Sequence, residues 1–530
     1  MGNKKLQVWL PLLFSVVLIA GMFFGYKMNK GGSAKGFFQS SKPSSLQEAL
    51  DLIRTKYVDP VSTDSLQGGA IQEMMSELDP HSVYFPPVEL KAVNEDLAGN
   101  FDGIGVEFNV FSDTVNVVYV VPGGPSDQAG LQIGDKIVAV NDSSLVGKSV
   151  SSNKIKEFIR GERGSIAALK VVRNGQVQTI NVKRGSIPVP SVDAAYMIDK
   201  TTGYIKLNKF TENSYEEFMQ AMENLQKQGL KELIYDLRGN GGGYMNEAIE
   251  MADEFLDGDK LVVYTEGVHS KKKEYRCKRP GLFEKGKLVI LIDELSASAS
   301  EVLAGALQDW DRAIIVGRRS FGKGLVQEQY QLSDGSAIRL TVARYYSPLG
   351  RSIQRPYDKG KKVYMDEIWE RYSNGEALYA DSNKIHNGKE YKTPSGHIVF
   401  GGGGIMPDFF VPIDTSTYPI SINKLFTSGS FNSFVYTYYL QHRKEIDQYS
   451  SAADYAERFG KFDQLWNEFV QYAAVRDSVN LVSLTVRQKE TLQRRLEAFL
   501  GRFRWRNTGY FQVLNHDDAV IAKAMEEIKK

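Results

Sequence analysis

At 530 residues the chain is long enough for about three or four domains, and its 42% apolar and 24% charged residues are those of an ordinary globular protein. A net charge of +1 argues against a nucleic-acid partner, because phosphate binding needs a basic surface. The single cysteine, Cys277, excludes an intrachain disulfide; within Arg276-Cys277-Lys278-Arg279 it reads as a surface thiol.

Leu6 to Tyr26 carries no charge, and at about 1.5 Å per residue such a run spans roughly the 30 Å of a bilayer core. Residues 1–30 are therefore expected to be a retained transmembrane anchor. Cleavage as a signal peptide is the lesser alternative, since Gly32-Ser33-Ala34 fits a cleavage site only loosely. Lysines flank both sides, so they set the orientation poorly. Residues 31–44, rich in Gly and Ser, read as a flexible tether.

In 45–95, Leu46, Ala49, Leu50 and Ile53, then Ile71, Met74, Met75 and Leu78, recur at helical spacing, and Asp79-Pro80 ends the second helix. Two short amphipathic helices make no core alone, so they need another part of the chain or a second copy; a homo-oligomer through them is allowed. Residues 96–186 turn strand-rich, with strands expected at 105–110, 114–121, 136–140, 166–172 and 177–182 and helices at 125–129 and 153–159. The loop Phe101-Asp102-Gly103-Ile104-Gly105-Val106 runs into the first strand; such a loop can aim backbone amides at a peptide carboxylate while the strand edge pairs with its main chain.

Residues 187–415 alternate strand and helix, which implies an α/β layer with sites at strand ends. Two loops there are built of small residues, Gly239-Asn240-Gly241-Gly242-Gly243 and Ser296-Ala297-Ser298-Ala299-Ser300. Past Pro356 the chain reads as irregular. Residues 416–530 read as mostly helical, with Thr485 capping a helix to Leu500 and Glu490 too distant for a capping box.

The chemistry rests on a hydroxyl and an amine. Serine needs a base, and lysine can be one only if its charge is suppressed. None of the six histidines lies in a Gly-x-Ser-x-Gly elbow or a His-Glu-x-x-His pattern. Gly317 to Lys323 matches the first seven positions of a phosphate-binding loop, but Gly324 stands where a hydroxyl must hold magnesium, and a strand, not a helix, follows. Tyr244 likewise breaks the dinucleotide pattern begun at Gly239. The glycine loop can instead supply N–H donors to an oxyanion, although alone it reads more readily as a tight turn.

With Pro122-Gly123-Gly124-Pro125-Ser126 and Ala129-Gly130-Leu131-Gln132-Ile133-Gly134-Asp135 behind its glycine loop, 96–186 looks like a PDZ domain. Together with Asp236-Leu237-Arg238-Gly239-Asn240-Gly241-Gly242, Ser296-Ala297-Ser298-Ala299-Ser300-Glu301, Phe321-Gly322-Lys323-Gly324 and Gly350-Arg351-Ser352-Ile353-Gln354, the chain resembles the C-terminal-processing (tail-specific) serine peptidases from about Ser45 to Asp408. The resemblance implies a multidomain α/β (α+β) fold: a crotonase/ClpP-like serine protease core, an inserted-type PDZ domain and a helical C-terminal region. It implies Ser298 as nucleophile, Lys323 as general base and Gln327 as the residue orienting the amine. Backbone N–H groups of Gly242 and Ala299 would form the oxyanion hole, with Glu301 and Asp309 in support. Gly103, Ile104, Gly105 and Val106 would take the substrate tail. No cofactor and no metal are expected; the partners would be protein or peptide substrates with accessible C-termini, with the catalytic part on the periplasmic or extracytoplasmic side of the membrane. One departure stands out: Glu294-Leu295 precedes the serine run where the family has glycine after Asn or Lys, and leucine resists a positive φ. The rival readings are an inert PDZ tail-binding scaffold and a crotonase-like acyl-transfer enzyme.

Overall fold

The strand Lys287–Ile292 explains the architecture: Val289 and Leu291 meet one hydrophobic layer, while Leu288, Ile290 and Ile292 meet another. A strand buried on both faces reads as the unbroken apolar run seen in sequence. The computed structural model describes residues 4–28, 44–111, 113–146, 151–379, 388–414, 420–460 and 462–530. It divides into two compact units, Met1–Met74 and Met75–Lys530.

The first unit holds the helices Lys4–Met28 and Ser45–Lys56 and most of Thr63–Ser76. Neither of the last two helices buries a residue, and Leu46, Leu52, Ile53 and Leu66 are exposed. The expected transmembrane anchor is not borne out: among the described residues no helix is long and apolar enough to cross a membrane. The tether at 31–44 lies, but for Ser44, outside the described residues.

In the second unit, the strands Val106–Phe111, Thr114–Val120, Lys136–Val140, Ile166–Arg173 and Gln176–Lys183 form an antiparallel sheet in that order, joined by the short Ser143–Ser144. Val106–Phe111 lies at its edge. The hairpin turn at Asn174 and Gly175 has φ of 52° and 81°, the left-handed pair that matches strand twist.

The largely parallel sheet runs Val192–Met197, Thr202–Leu207, Glu232–Asp236, Lys287–Ile292, Ile314–Gly317, Phe409–Phe410, antiparallel only in its first pair. The helices Ser214–Lys227, Met245–Asp253 and Ala299–Asp309 share the core on one face, and Ala519–Lys529 covers the other. A second sheet centres on Ala337–Tyr346, which pairs with Leu325–Gln331, Leu261–Glu266 and Val83–Phe85. Leu325–Gln331 is a strand, as the phosphate-loop argument requires.

Three expectations need correction. Beyond Pro356 the chain is not irregular: it forms the helix Lys361–Ser373 and a hairpin of Glu390–Lys392 with Ile398–Phe400. Thr485 does make a capping box, with Gln488, which sits at the required third position, and its helix continues past Leu500 to a kink at Arg506 (φ 55°, ψ −147°), beyond which a second helical segment reaches Leu514. Cys277 is buried, because the residue after the strand Lys273–Arg276 turns inward; burial pushes its thiol up to about 12.

Candidate active site

The small-residue run after Lys287–Ile292 is tied to the glycine loop by hydrogen bonds. Ala297 N–H and Ser300 Oγ both donate to Asn240 O, at 3.0 and 2.9 Å, and Ser296 Oγ donates to Leu237 O at 2.8 Å. The left-handed turn falls on Ser298 (φ 57°, ψ −114°), not on Leu295. A non-glycine residue held there stores on the order of 1–3 kcal/mol, and the following helix Ala299–Asp309, buried throughout, holds it. Ser298 therefore stands at a strand-to-helix turn with its helix N-terminus behind it.

Gly242 packs against this turn: a Cβ there would lie 2.7 Å from Ala297 O and 2.8 Å from Ser298 Cβ. Its N–H, however, donates to Asn240 Oδ1 at 2.9 Å, so the amide expected to face an oxyanion is engaged by a side chain. Among the described residues the N–H groups of Ala299 and Gly243 have no hydrogen-bond partner. Both residues line a cleft of about 640 Å³ that also takes in Gly242, Ser298, Lys323 and Gln327.

Lys323 precedes the strand Leu325–Gln331, and residues 323 and 327 meet despite a register shift between Val326 and Gln327. Its Nζ donates to Gln327 Oε1 at 2.9 Å. Burial, then the nearby charge of Arg339, lowers its pKa to about 8. Among the described residues no hydrogen bond joins Lys323 Nζ to Ser298 Oγ.

Glu301 braces the pair. Its buried carboxylate accepts Ser298 N–H and Lys323 N–H at 2.8 Å each, Gly322 N–H at 2.6 Å and Ser320 Oγ–H at 2.5 Å. Burial raises its pKa, and these donors oppose the rise. Tyr345, which the sequence motifs did not single out, donates its hydroxyl to Ser298 O at 3.0 Å and also contacts Lys323 O. Asp309 lies elsewhere: at the far end of its helix it pairs with Arg351, both fully buried, and accepts Leu349 N–H at 3.0 Å.

The tail-loop residues come together. Gly103 pairs with Gly185, Ile104 is buried, Gly105 has φ 75°, and Val106 opens the edge strand. Ile104 O and Gly105 O accept Ser126 N–H and Val121 N–H, both at 3.0 Å, while among the described residues the N–H groups of Ile104 and Gly105 have no partner. Among the described residues, no group of three or more His, Cys, Asp or Glu side chains could hold a metal ion.

Residues 201–360 match peptidase family S41, 117–173 the PDZ domain, 26–86 the activating protease CtpB N-terminal domain, and 421–506 a family of unknown function (DUF8443). The chain is 33% identical over 357 residues to "Probable CtpA-like serine protease" of Staphylococcus epidermidis, covering 67% of this chain and 71% of that one. It is 31% identical over 388 residues to "Carboxy-terminal processing protease CtpA" of Bacillus subtilis, covering 72% and 81%. Among solved structures, the photosystem II D1 C-terminal processing protease aligns at 30% identity and a TM-score of 0.35, covering 58% of this chain and 83% of that one.

Proposed function

From the premise that this chain belongs to peptidase family S41 and is a C-terminal-processing serine peptidase with a PDZ domain, we propose that Ser298 and Lys323 are its catalytic pair. The observation that carries this reading is geometric: the half-buried Lys323 amine is held by Gln327 at 2.9 Å in the same cleft as Ser298, and desolvation there lowers its pKa to about 8. The neutral amine takes the Ser298 proton as Oγ bonds to the substrate carbonyl carbon. The oxyanion that forms is met by Ala299 N–H and by a glycine-loop amide, either Gly243 or Gly242 once released from Asn240. The resulting ammonium returns its proton to the departing amine as the C–N bond breaks, and water then hydrolyses the acyl-serine. A bound substrate would bring amine and hydroxyl together, as catalytic hydrogen bonds often tighten only in the complex.

The PDZ edge strand would pair with a substrate's C-terminal segment, and the free amides of Ile104 and Gly105 would take its carboxylate. Amidating the C-terminus of an unstructured substrate is then expected to slow its cleavage, while short peptides that bypass the PDZ domain are cleaved as before. Equal rates for amidated and free tails would remove tail reading from this account. A Gly105→Val test is less clean, since a Cβ there would sit 3.1 Å from Ile187 Cδ1 on a left-handed backbone.

Location outside the cytoplasm and tethering by the helix Lys4–Met28 complete the reading. The support for both is the uncharged run Leu6–Tyr26 and the exposed Trp9, Leu12, Leu13 and Phe14. Recovery of the full chain in the soluble fraction after cell lysis would count against the tether.

A further inference from the structure

Gln327 orients Lys323 only if something orients Gln327. Its carboxamide has two ends, and the wrong one would turn an NH₂ toward the lysine amine. The Nε2 end donates to His81 O at 2.6 Å, which leaves Oε1 facing Lys323. His81 is fixed in turn. Asp79 Oδ1 accepts the N–H groups of His81 and Ser82 at 2.8 and 2.9 Å, and the His81 ring meets Tyr364 Oη at 2.9 Å through Nε2.

Gln354 Nε2 donates to Tyr364 Oη at 3.4 Å, and the phenolic proton is available to His81 Nε2 in the ring tautomer that leaves that nitrogen unprotonated. Burial, then the charge of Lys323, lowers the His81 pKa to about 3, so the ring stays neutral and can accept. Gln354 Oε1 accepts Gly324 N–H at 2.8 Å, closing the network on the lysine loop. Tyr364 is itself held: the Arg355 guanidinium lies over its ring at 4.2 Å and over Phe321 at 4.3 Å. Tyr364 belongs to the helix Lys361–Ser373, beyond the segment 201–360 that matches the peptidase family.

We propose that His81 and Tyr364 are positioning residues for the lysine base: Tyr364 fixes the His81 ring and main chain, the His81 carbonyl fixes the Gln327 carboxamide, and Gln327 fixes the amine. The helix Lys361–Ser373 is thereby part of the catalytic architecture rather than a surface addition. This inference rests on the Ser298–Lys323 reading. With one N–H given to Gln327 Oε1, the neutral amine has fewer directions in which to point its lone pair, and Ser298 lies in the same cleft.

Tyr364→Phe removes only the hydroxyl and keeps the ring that packs on Arg355. In the full chain it is expected to lower kcat by about tenfold with KM unchanged, and to displace the midpoint of the pH–rate profile by about half a unit or more. The effect should pass through Gln327. In a Gln327→Ala background, Tyr364→Phe should change the rate of Ser298 modification by a fluorophosphonate less than about twofold. A kcat for Tyr364→Phe within about twofold of the parent, or an equal loss in both backgrounds, would overturn the positioning chain. Lys323→Met in the same assay reads the base separately. If it remains active the pair itself falls; if it is inactive while Tyr364→Phe is silent, only the positioning chain falls.

Discussion

Lys323→Arg is expected to fold and yet lose about 10²–10⁴-fold in kcat, the usual worth of a positioned base. Guanidinium stays charged at any working pH and cannot take the Ser298 proton. Activity within tenfold of the parent, with an unchanged circular dichroism spectrum, would contradict the assignment. The parent's rate should rise with pH through about 8, where Lys323 loses its proton, and level off above it. Stability carries the same signature. The folded pKa is lowered, so between about 8 and the ordinary lysine value the unfolded chain holds a proton that the folded chain has released. Stability therefore rises with pH across that window, by roughly 3 kcal/mol in all. Below it, Lys323→Met should melt higher than the parent.

Glu301→Gln is expected to damage both stability and catalysis. The carboxylate accepts from four groups, Ser298 N–H, Lys323 N–H, Gly322 N–H and Ser320 Oγ–H. A glutamine keeps one accepting oxygen and sets an NH₂ against buried donors on the other side. With two donors left unmatched, the loss is about 2–6 kcal/mol, since each unsatisfied buried group costs roughly 1–3. The Ser298 turn and the Lys323 loop lose their common anchor, so kcat should fall by about 10²-fold or more. A Tm and kcat equal to the parent's would show that the brace is dispensable.

What the sequence made legible follows from how locally each feature is encoded. Ser298, Glu301, Lys323 and Gln327 sit in short windows whose residue order survives folding, and all four meet around one turn and one loop. The strand at Lys287–Ile292 was legible because burial on both faces leaves an unbroken apolar run. Asp309 also lies in a motif, but its helix carries it about 16 Å along the axis from Ser298, where it serves Arg351 instead. The direction of the Gly242 amide was not legible, because it depends on which way the Asn240 side chain folds back. Tyr345, His81 and Tyr364 reach the site from distant segments, and no spacing rule connects them to it. The helix Lys361–Ser373 carries no legible signal for a further reason: its buried residues are Tyr364, Ile368 and Arg371, so its inner face includes a charge and lacks a plain apolar stripe. Arg371 spends that burial on the carbonyls of Arg319 and Ser320 and on Glu367.

The measurement that bears most directly on the pair is the pH dependence of covalent modification by a fluorophosphonate, with the modified residue located by mass spectrometry. The account predicts a single adduct on Ser298, a rate that rises through about pH 8, and no comparable reaction in Lys323→Met. An adduct at another residue, or equal modification of Ser298 in Lys323→Met at every pH, would contradict it.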